Sequence, residues 1–342
     1  MDTSAFDFPL PDALIAQQAA EPRDRSRLMV VRRNSGTLEH RTFADLPDLL
    51  DPGDVLARNN SRVVPARLVG HRASTGGRWE GLYLQTLPDG SWEILAKTRG
   101  RPESGERVVV GSGLGLILEG RLGDGRWSAR PDLDAPADRL LAEHGLIPLP
   151  PYIRKGVESA GDRARYQTVY AAVPGSVAAP TAGLHFTDEV FERLDRRGVA
   201  RVDLTLHVGI GTFRPIEVER IEDHVLHAER AELSPEAAST LNRRRAEGGR
   251  VVAVGTTSAR TLEASAASGR FEAFSGETAL YLRPGHEFRG VDALVTNFHL
   301  PRSSLLVLAS ALAGVDLIRA AYAEAIRREY RFYSYGDAML IL

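Results

Sequence analysis

Residues 250–269 read RVVAVGTTSARTLEASAASG. The apolar run RVVAV reads as a strand, Gly255 breaks it, and TSARTLEASAASG reads as a helix that stops at a glycine. That order recurs on both sides. DEVFERLDRR is a helix stopped by Gly198, and VARVDLTLHVG is a strand. SPEAASTLNRRRAEG is a helix with Ser234 as N-cap, Pro235 at its first position and Gly248 after its end. DALVT, RSSLLVLASALAG, DLIRAAYAEAIRREY and RFYSYGDAMLIL continue as strand, helix, helix and short strand, while GDVLARNNSRVVPARL supplies an earlier strand and its exit. Repeated strand–helix alternation predicts an α/β layer architecture.

Residues 66–130 break the pattern. ARLVGHRA, RWEGLYLQTL, SWEILAKTRG, RVVV, LGLILEGRL and RWSARPDL are short β-type runs separated by STGG, PDG, RPESGE, GSG and GDG. That spacing of turn signals predicts a small antiparallel barrel or sandwich. ADRLLAEHG reads as a helix closed by Gly145, and IPLPPYI as a Pro-rich exit. The expected organisation is a layered α/β domain formed by residues 1–65 and 148–342, with an inserted small antiparallel β-barrel domain at 66–147. GSGLGLILEG has the glycines of a dinucleotide loop, but β-type residues follow it, so it reads as a hairpin.

The 342 residues contain 43% hydrophobic and 26% charged side chains, ordinary for a globular protein. With no cysteine, disulfides, Cys-based zinc sites and thiol nucleophiles are excluded. No run approaches the roughly 20 apolar residues of a membrane helix, and the acidic, Pro-punctuated start MDTSAFDFPLPD is unlike a signal peptide. The expectation is a cytoplasmic protein. A net charge of -2 argues against an overall basic coat but permits local RNA contacts.

In α/β sheets, ligands gather beyond the carboxyl ends of strands. There the sequence places His207, Gly209, Gly211 and Thr212; then Gly255, Thr256, Thr257 and Ser258; then Thr296, Asn297, His299 and Pro301. APTAGLHFT puts His185 on a stiff connector ahead of Thr187, which reads as the next helix's N-cap. Alternation sets Asp203, Thr205 and His207 on one polar strand face. The start TTS of a helix is an anion site in principle, though N-capping by Thr256 or Thr257 accounts for those residues more simply. EDHVLHAERAEL spaces His224 and His227 as on one helix face, with Glu229 after them, but no third metal ligand is identifiable. Lys97, Arg99 and Arg101 alternate, which in an extended chain makes a basic stripe for a phosphate backbone or a charged strand edge. YRFYSY near the C-terminus reads as core. Several imidazoles at strand ends favour an enzyme over a binding module.

Taken as whole strings, YQTVYAAVPGSVAAPTAGLHFT, TLHVGIGTFRPI, EDHVLHAERAEL, VGTTSARTLE, VDALVTNFHLPRSSLLVL and YRFYSYGDAMLI closely resemble the S-adenosylmethionine:tRNA ribosyltransferase-isomerase family of queuosine biosynthesis. NNSRVVPARL, GGRWE and PLPPYI extend the resemblance into the first half. Asn60 and Ser61 stand where that family commonly has Asp–Thr or Asn–Thr, and Ala57, Arg58 and Ala259 where it usually has larger apolar residues. The resemblance implies a substrate tRNA whose wobble base is 7-aminomethyl-7-deazaguanine, bound through its anticodon region. S-adenosylmethionine serves as ribosyl donor, the product is epoxyqueuosine-tRNA, and adenine and methionine leave. It implies no metal, no membrane and no obligate protein partner, and a monomer. Its candidate proton-transfer groups are His185, His207, His227 and His299, with base and acid unranked. Candidate substrate contacts are Thr181, Gly183, Gly209, Gly211, Thr212, Phe213, Arg214, Glu229, Thr256, Thr257 and Asn297. Candidate tRNA contacts are Arg62, Arg67, Lys97, Arg99 and Arg101.

Overall fold

A computed structural model of the chain describes residues 1–209 and 215–342. The chain forms two compact units, Met1–Arg62 with Ala164–Leu342, and Val63–Arg163. Residues 148–163, which the sequence pattern joins to the α/β domain, thus group with the second unit. There Ile147 N donates to Glu158 Oε2 at 3.0 Å, and the Arg67 guanidinium donates to Gly156 O.

The first unit is mixed α/β around a nine-stranded sheet. Its spatial order is Phe274–Thr278, Glu229–Leu233, Ala200–Leu206, Val55–Asn59, Val251–Val254, Ala293–Asn297, Ala338–Ile341, Arg27–Arg32 and Thr37–Thr42. Ala200–Leu206, Val55–Asn59, Val251–Val254 and Ala293–Asn297 are mutually parallel, and antiparallel strands flank them on both sides. All four residues of Val251–Val254 are buried, as a central strand covered on both faces requires. One face packs Leu56, Val252, Val254, Val295 and Leu340 against Phe186, Val190, Phe191 and Leu194. The last three lie on the helix Asp188–Arg196, whose start is fixed by Thr187 Oγ1 accepting from Val190 N. Ser234 caps Pro235–Ala246 in the same way.

Four strands of this sheet have no counterpart in the sequence pattern. Arg27–Arg32 and Thr37–Thr42 form a hairpin whose first strand pairs in parallel with the C-terminal Ala338–Ile341. Glu229–Leu233 and Phe274–Thr278 extend the opposite edge. The C-terminal aromatics Tyr330, Phe332, Tyr333 and Tyr335 are buried. Among the described residues no single helix is long and apolar enough to cross a membrane.

The second unit is a closed antiparallel barrel of six strands: Arg126–Pro131, Trp92–Thr98, Arg78–Thr86, Arg67–Arg72, Arg107–Val110 and Leu114–Gly123. GSGLGLILEG is the hairpin that pairs Val110 with Leu114. Trp79, Trp92 and Trp127, the chain's only tryptophans, fill its interior with Leu68, Ile94, Val108 and Leu116. Trp79 and Gly81 share one face of their strand, and the indole lies across the glycine: a Cβ at position 81 would stand 2.3 Å from Trp79. Gly81→Ala is therefore expected to overpack the barrel and cost about 1–3 kcal/mol. Tryptophan-fluorescence denaturation reads this directly; an unchanged midpoint would show that the indole relocates freely.

Candidate active site

The carboxyl ends of the four parallel strands meet at one edge of the sheet, and a cleft opens there. Its lining includes Pro180, Thr181, Thr256, Thr257, Asn297 and His299. Gly255 turns the chain from Val251–Val254 into the helix Thr256–Ser265 at φ 89°, a left-handed conformation suited to glycine. It is also the N-cap, and among the described residues no side chain caps that helix. The capping role expected of Thr256 or Thr257 is thus corrected: both lie in the first turn. The N–H groups of Thr256, Thr257 and Ser258 make no hydrogen bond among the described residues.

Beside the cleft, the fully buried Asn59 joins three elements. Its Oδ1 accepts from Leu206 N at 3.1 Å and Ser61 N at 3.0 Å. Its Nδ2 donates to Leu206 O at 2.9 Å and Thr257 Oγ1 at 3.2 Å. On the neighbouring polar face, Arg58 pairs with Asp203 at 2.5 Å and lies over the rings of Tyr170 and Phe191. Thr205 Oγ1 donates to Asn60 Oδ1 at 2.8 Å.

The four candidate histidines separate. His185 is buried on the short 3-10 turn Thr181–His185 and stacks on Phe43 at 5.0 Å. Asn297 Nδ2 lies 3.0 Å from its Nε2 and 3.2 Å from Tyr333 O, and Ser26 Oγ lies 2.7 Å from its Nδ1. A carbonyl only accepts, so the Asn297 amide turns its NH₂ toward Tyr333 O and His185. His185 Nε2 is then the acceptor and Nδ1–H the donor to Ser26. Both ring nitrogens are engaged. Burial pushes the imidazole down to about 4, outweighing the opposing field of Asp337.

His299 lines the cleft. Thr296 Oγ1 holds its Nε2 at 2.7 Å, and burial pushes it down to about 3. Its Nδ1 makes no hydrogen bond among the described residues. His207 follows the end of the strand Ala200–Leu206 and is not among the residues lining the cleft. Its Nδ1 meets Ser61 Oγ at 2.8 Å, and its ring rests on Gly175, where a Cβ would come within 2.9 Å. Partial burial lowers it. His227 is exposed, and His224–Ala228 is not helical, so the shared helix face considered for His224 and His227 does not form.

Glu229 is buried and committed. One oxygen pairs with Arg260, which also donates to Leu280 O and Thr278 O, and the other accepts from Gly209 N at 2.9 Å. It thereby fixes Gly209. Gly183 is enforced by space, since a Cβ there would stand 2.1 Å from the Tyr170 hydroxyl oxygen. Gly211, Thr212, Phe213 and Arg214 lie outside the described residues. Among the described residues no group of three His, Asp or Glu side chains is placed to hold a metal ion. A roomier pocket bounded by Phe6, Phe8, Leu306, Ile318 and Tyr322 is mostly apolar and contains no imidazole.

In the barrel unit, Lys97, Arg99 and Arg101 are exposed. The strand ends at Thr98, and Gly100 turns at φ 81°, so the three do not continue one extended run. Arg67 is committed to Glu80 and Gly156 O, while Arg62, in the first unit, is exposed.

The sequence profile of the family described as Queuosine biosynthesis protein matches residues 3–341. The chain belongs to this family. It is 52% identical, over the full length of both chains, to the S-adenosylmethionine:tRNA ribosyltransferase-isomerase of Symbiobacterium thermophilum. It is 50% identical, also over full length, to that of Desulfitobacterium hafniense. The crystal structure of S-adenosylmethionine tRNA ribosyltransferase from Thermotoga maritima is similar at 38% identity and a TM-score of 0.58, covering 99% of this chain and all of that one. Sequence reading of this member missed Asn59, Ser61, Ser26 and Arg260. NNSRVV carried a signal in its adjacent amides at a strand's carboxyl end. Ser26 and Arg260 carried none, because their partners lie far away in sequence.

The buried imidazoles give a pH-dependent stability. A histidine near 6.5 when unfolded but near 4 when folded binds its proton more readily in the unfolded chain. Stability is complete above about 6.5 and falls as pH drops through the window toward 4, by up to about 1.4 kcal/mol per pH unit for one such group. Denaturant midpoints measured from pH 7 to 5 should decline, and His185→Gln should flatten that decline. Equal slopes for the two proteins would exclude His185 as a source.

Proposed function

We propose that the protein transfers the ribosyl moiety of S-adenosylmethionine to the aminomethyl group of 7-aminomethyl-7-deazaguanine at the tRNA wobble position and isomerises it. The products are epoxyqueuosine-tRNA, adenine and methionine. The full-length identity to ribosyltransferase-isomerases carries this reading. The protein then acts in the cytoplasm as a monomer, on the anticodon region of tRNA, with no obligate protein partner and no metal.

The chemistry needs a proton removed from the ribose carbon that the sulfonium acidifies. Ring opening expels adenine, which takes up a proton. The tRNA amine adds, the ring recloses through carbon, and the resulting alkoxide displaces methionine to form the epoxide. Proton acceptance requires a neutral base, and burial keeps His299 neutral. Thr296 holds one of its nitrogens and leaves Nδ1 for the reacting carbon. His185 has no nitrogen left to exchange, so its part is to hold Asn297. His207 and His227 stand off this cleft, and the proton donor to adenine is drawn from these two. Thr181, Thr256 and Thr257 orient substrate hydroxyls.

Adenine release with precursor-bearing and unmodified tRNA tests the reaction: release is expected with the first alone. His299→Ala should lower kcat by about 10²-fold or more, with the acid limb of the wild-type profile lying well below pH 6.5. Near-normal kcat in that variant would remove His299 from the proton transfer.

In the barrel, exposed Lys97, Arg99 and Arg101 supply phosphate contacts by charge rather than by a strand-ordered row. Replacing all three with Ala should weaken tRNA binding and reduce the slope of log affinity against log salt by roughly one for each cation that had neutralised a phosphate. An unchanged slope would move the tRNA surface elsewhere.

A further inference from the structure

The cleft contains two recognition features of opposite sense that no protein group uses among the described residues. The first is the start of the ten-residue helix Thr256–Ser265: its N-cap is a glycine, no side chain caps it, and its first turn has no acidic residue. Its free N–H groups and the positive end of its dipole call for an anion. The second is Asn297 Oδ1. The residue is 2% exposed and lines the same cleft, yet among the described residues this oxygen has no hydrogen-bond partner. Tyr333 O and His185 Nε2 hold the NH₂ end of the amide turned away. A bare buried carbonyl costs free energy until a donor meets it.

One small group satisfies both features: an α-amino acid, with a carboxylate and an ammonium on one carbon. We propose that this cleft seats the methionyl end of S-adenosylmethionine, with the carboxylate on the Thr256–Ser258 N–H groups and the ammonium on Asn297 Oδ1. This rests on the donor named under the proposed function. A phosphate would satisfy the helix start but would bring only acceptors to Asn297 Oδ1, so the amino acid fits the pair better. His185 is then a positioning residue, acting through Asn297. The Tyr333 backbone, at φ 72°, presents the carbonyl that sets the same amide from the other side.

Calorimetric binding of three ligands tests the placement: S-adenosylmethionine, its decarboxylated analogue, and the analogue with hydrogen in place of the ammonium. Wild type should bind each analogue at least tenfold more weakly than the parent. Asn297→Ala should bind the parent and the deaminated analogue alike while still rejecting the decarboxylated one. Thr256→Pro deletes one N–H at a position where proline suits a helix, and it should narrow the carboxylate preference alone. His185→Ala should lose the ammonium preference, and His185→Gln, which again offers Asn297 an acceptor, should restore it. Thermal melts confirm that each variant is folded.

Analogues bound within twofold of the parent by wild type would overturn the placement. So would an equal loss for all three ligands in Asn297→Ala, which would mark a hydroxyl or purine contact. Inorganic phosphate competing with the parent while the decarboxylated analogue binds fully would assign the helix start to a tRNA phosphate instead. Adenine release is measured on the same preparations. Normal release without discrimination sinks the placement alone, whereas discrimination without release keeps the amino-acid site and sinks the proposed reaction.

Discussion

The side-chain amide of Asn59 is the constraint on which the site's arrangement rests. Two strands lying parallel need only their ladder, but at their carboxyl ends the ladder runs out and backbone groups are left over. Asn59 takes up both the N–H and the C=O of Leu206, extends to Thr257 on the next helix, and accepts from Ser61 N. All four hydrogen-bonding directions of one buried amide are used. Losing it would orphan several buried groups at once, each worth about 1–3 kcal/mol. It therefore fixes where His207, the first turn of Thr256–Ser265 and the polar segment Asn60–Ser61 stand relative to one another.

A second amide, Asn297, sits at the end of a parallel strand two places along the sheet and is used differently. Its NH₂ end is committed, and its oxygen has no partner among the described residues. The contrast separates a fully satisfied amide from one whose acceptor is open among the described residues, although both are asparagines at strand ends. Their chemistry is the same; the number of satisfied directions differs.

That contrast also marks what could be read from the sequence. The strand–helix alternation and the turn-punctuated β runs reported both architectures, because apolar periodicity and glycine placement are local properties. The strand-end residues His207, Thr256, Asn297 and His299 were visible for the same reason. What each side chain does was not visible. Arg27–Arg32 pairs with a strand more than 300 residues later, so neither its membership in the sheet nor the placing of Ser26 beside His185 leaves a local trace. Glu229, a candidate substrate contact in the sequence, has its carboxylate paired with Arg260, 31 residues away. The helical reading of His224 and His227 followed spacing alone, and residues 224–228 form no helix ahead of the strand Glu229–Leu233. Thr256 and Thr257 matched a capping pattern, yet Gly255 turns one residue earlier and leaves the helix end bare.

The bare helix end and the neutral imidazoles have a common electrostatic logic. Among the described residues lining the cleft none carries a fixed charge, since burial holds His299 in its neutral form. The proposed reaction brings in a sulfonium cation, removes a proton beside it and ends when an alkoxide displaces a neutral thioether from the sulfonium-bearing carbon. A fixed anion would hold the starting cation and oppose its discharge; a fixed cation would oppose its entry. Hydroxyls, amides, imidazoles and backbone N–H groups instead supply oriented dipoles that are already in place and need no reorganisation as charge moves. Such a lining demands that each dipole be held rigidly by a protein partner. Tyr333 O, Thr296 and Asn59 do this for Asn297, His299 and Thr257 in turn, and Ser26 holds His185 behind Asn297.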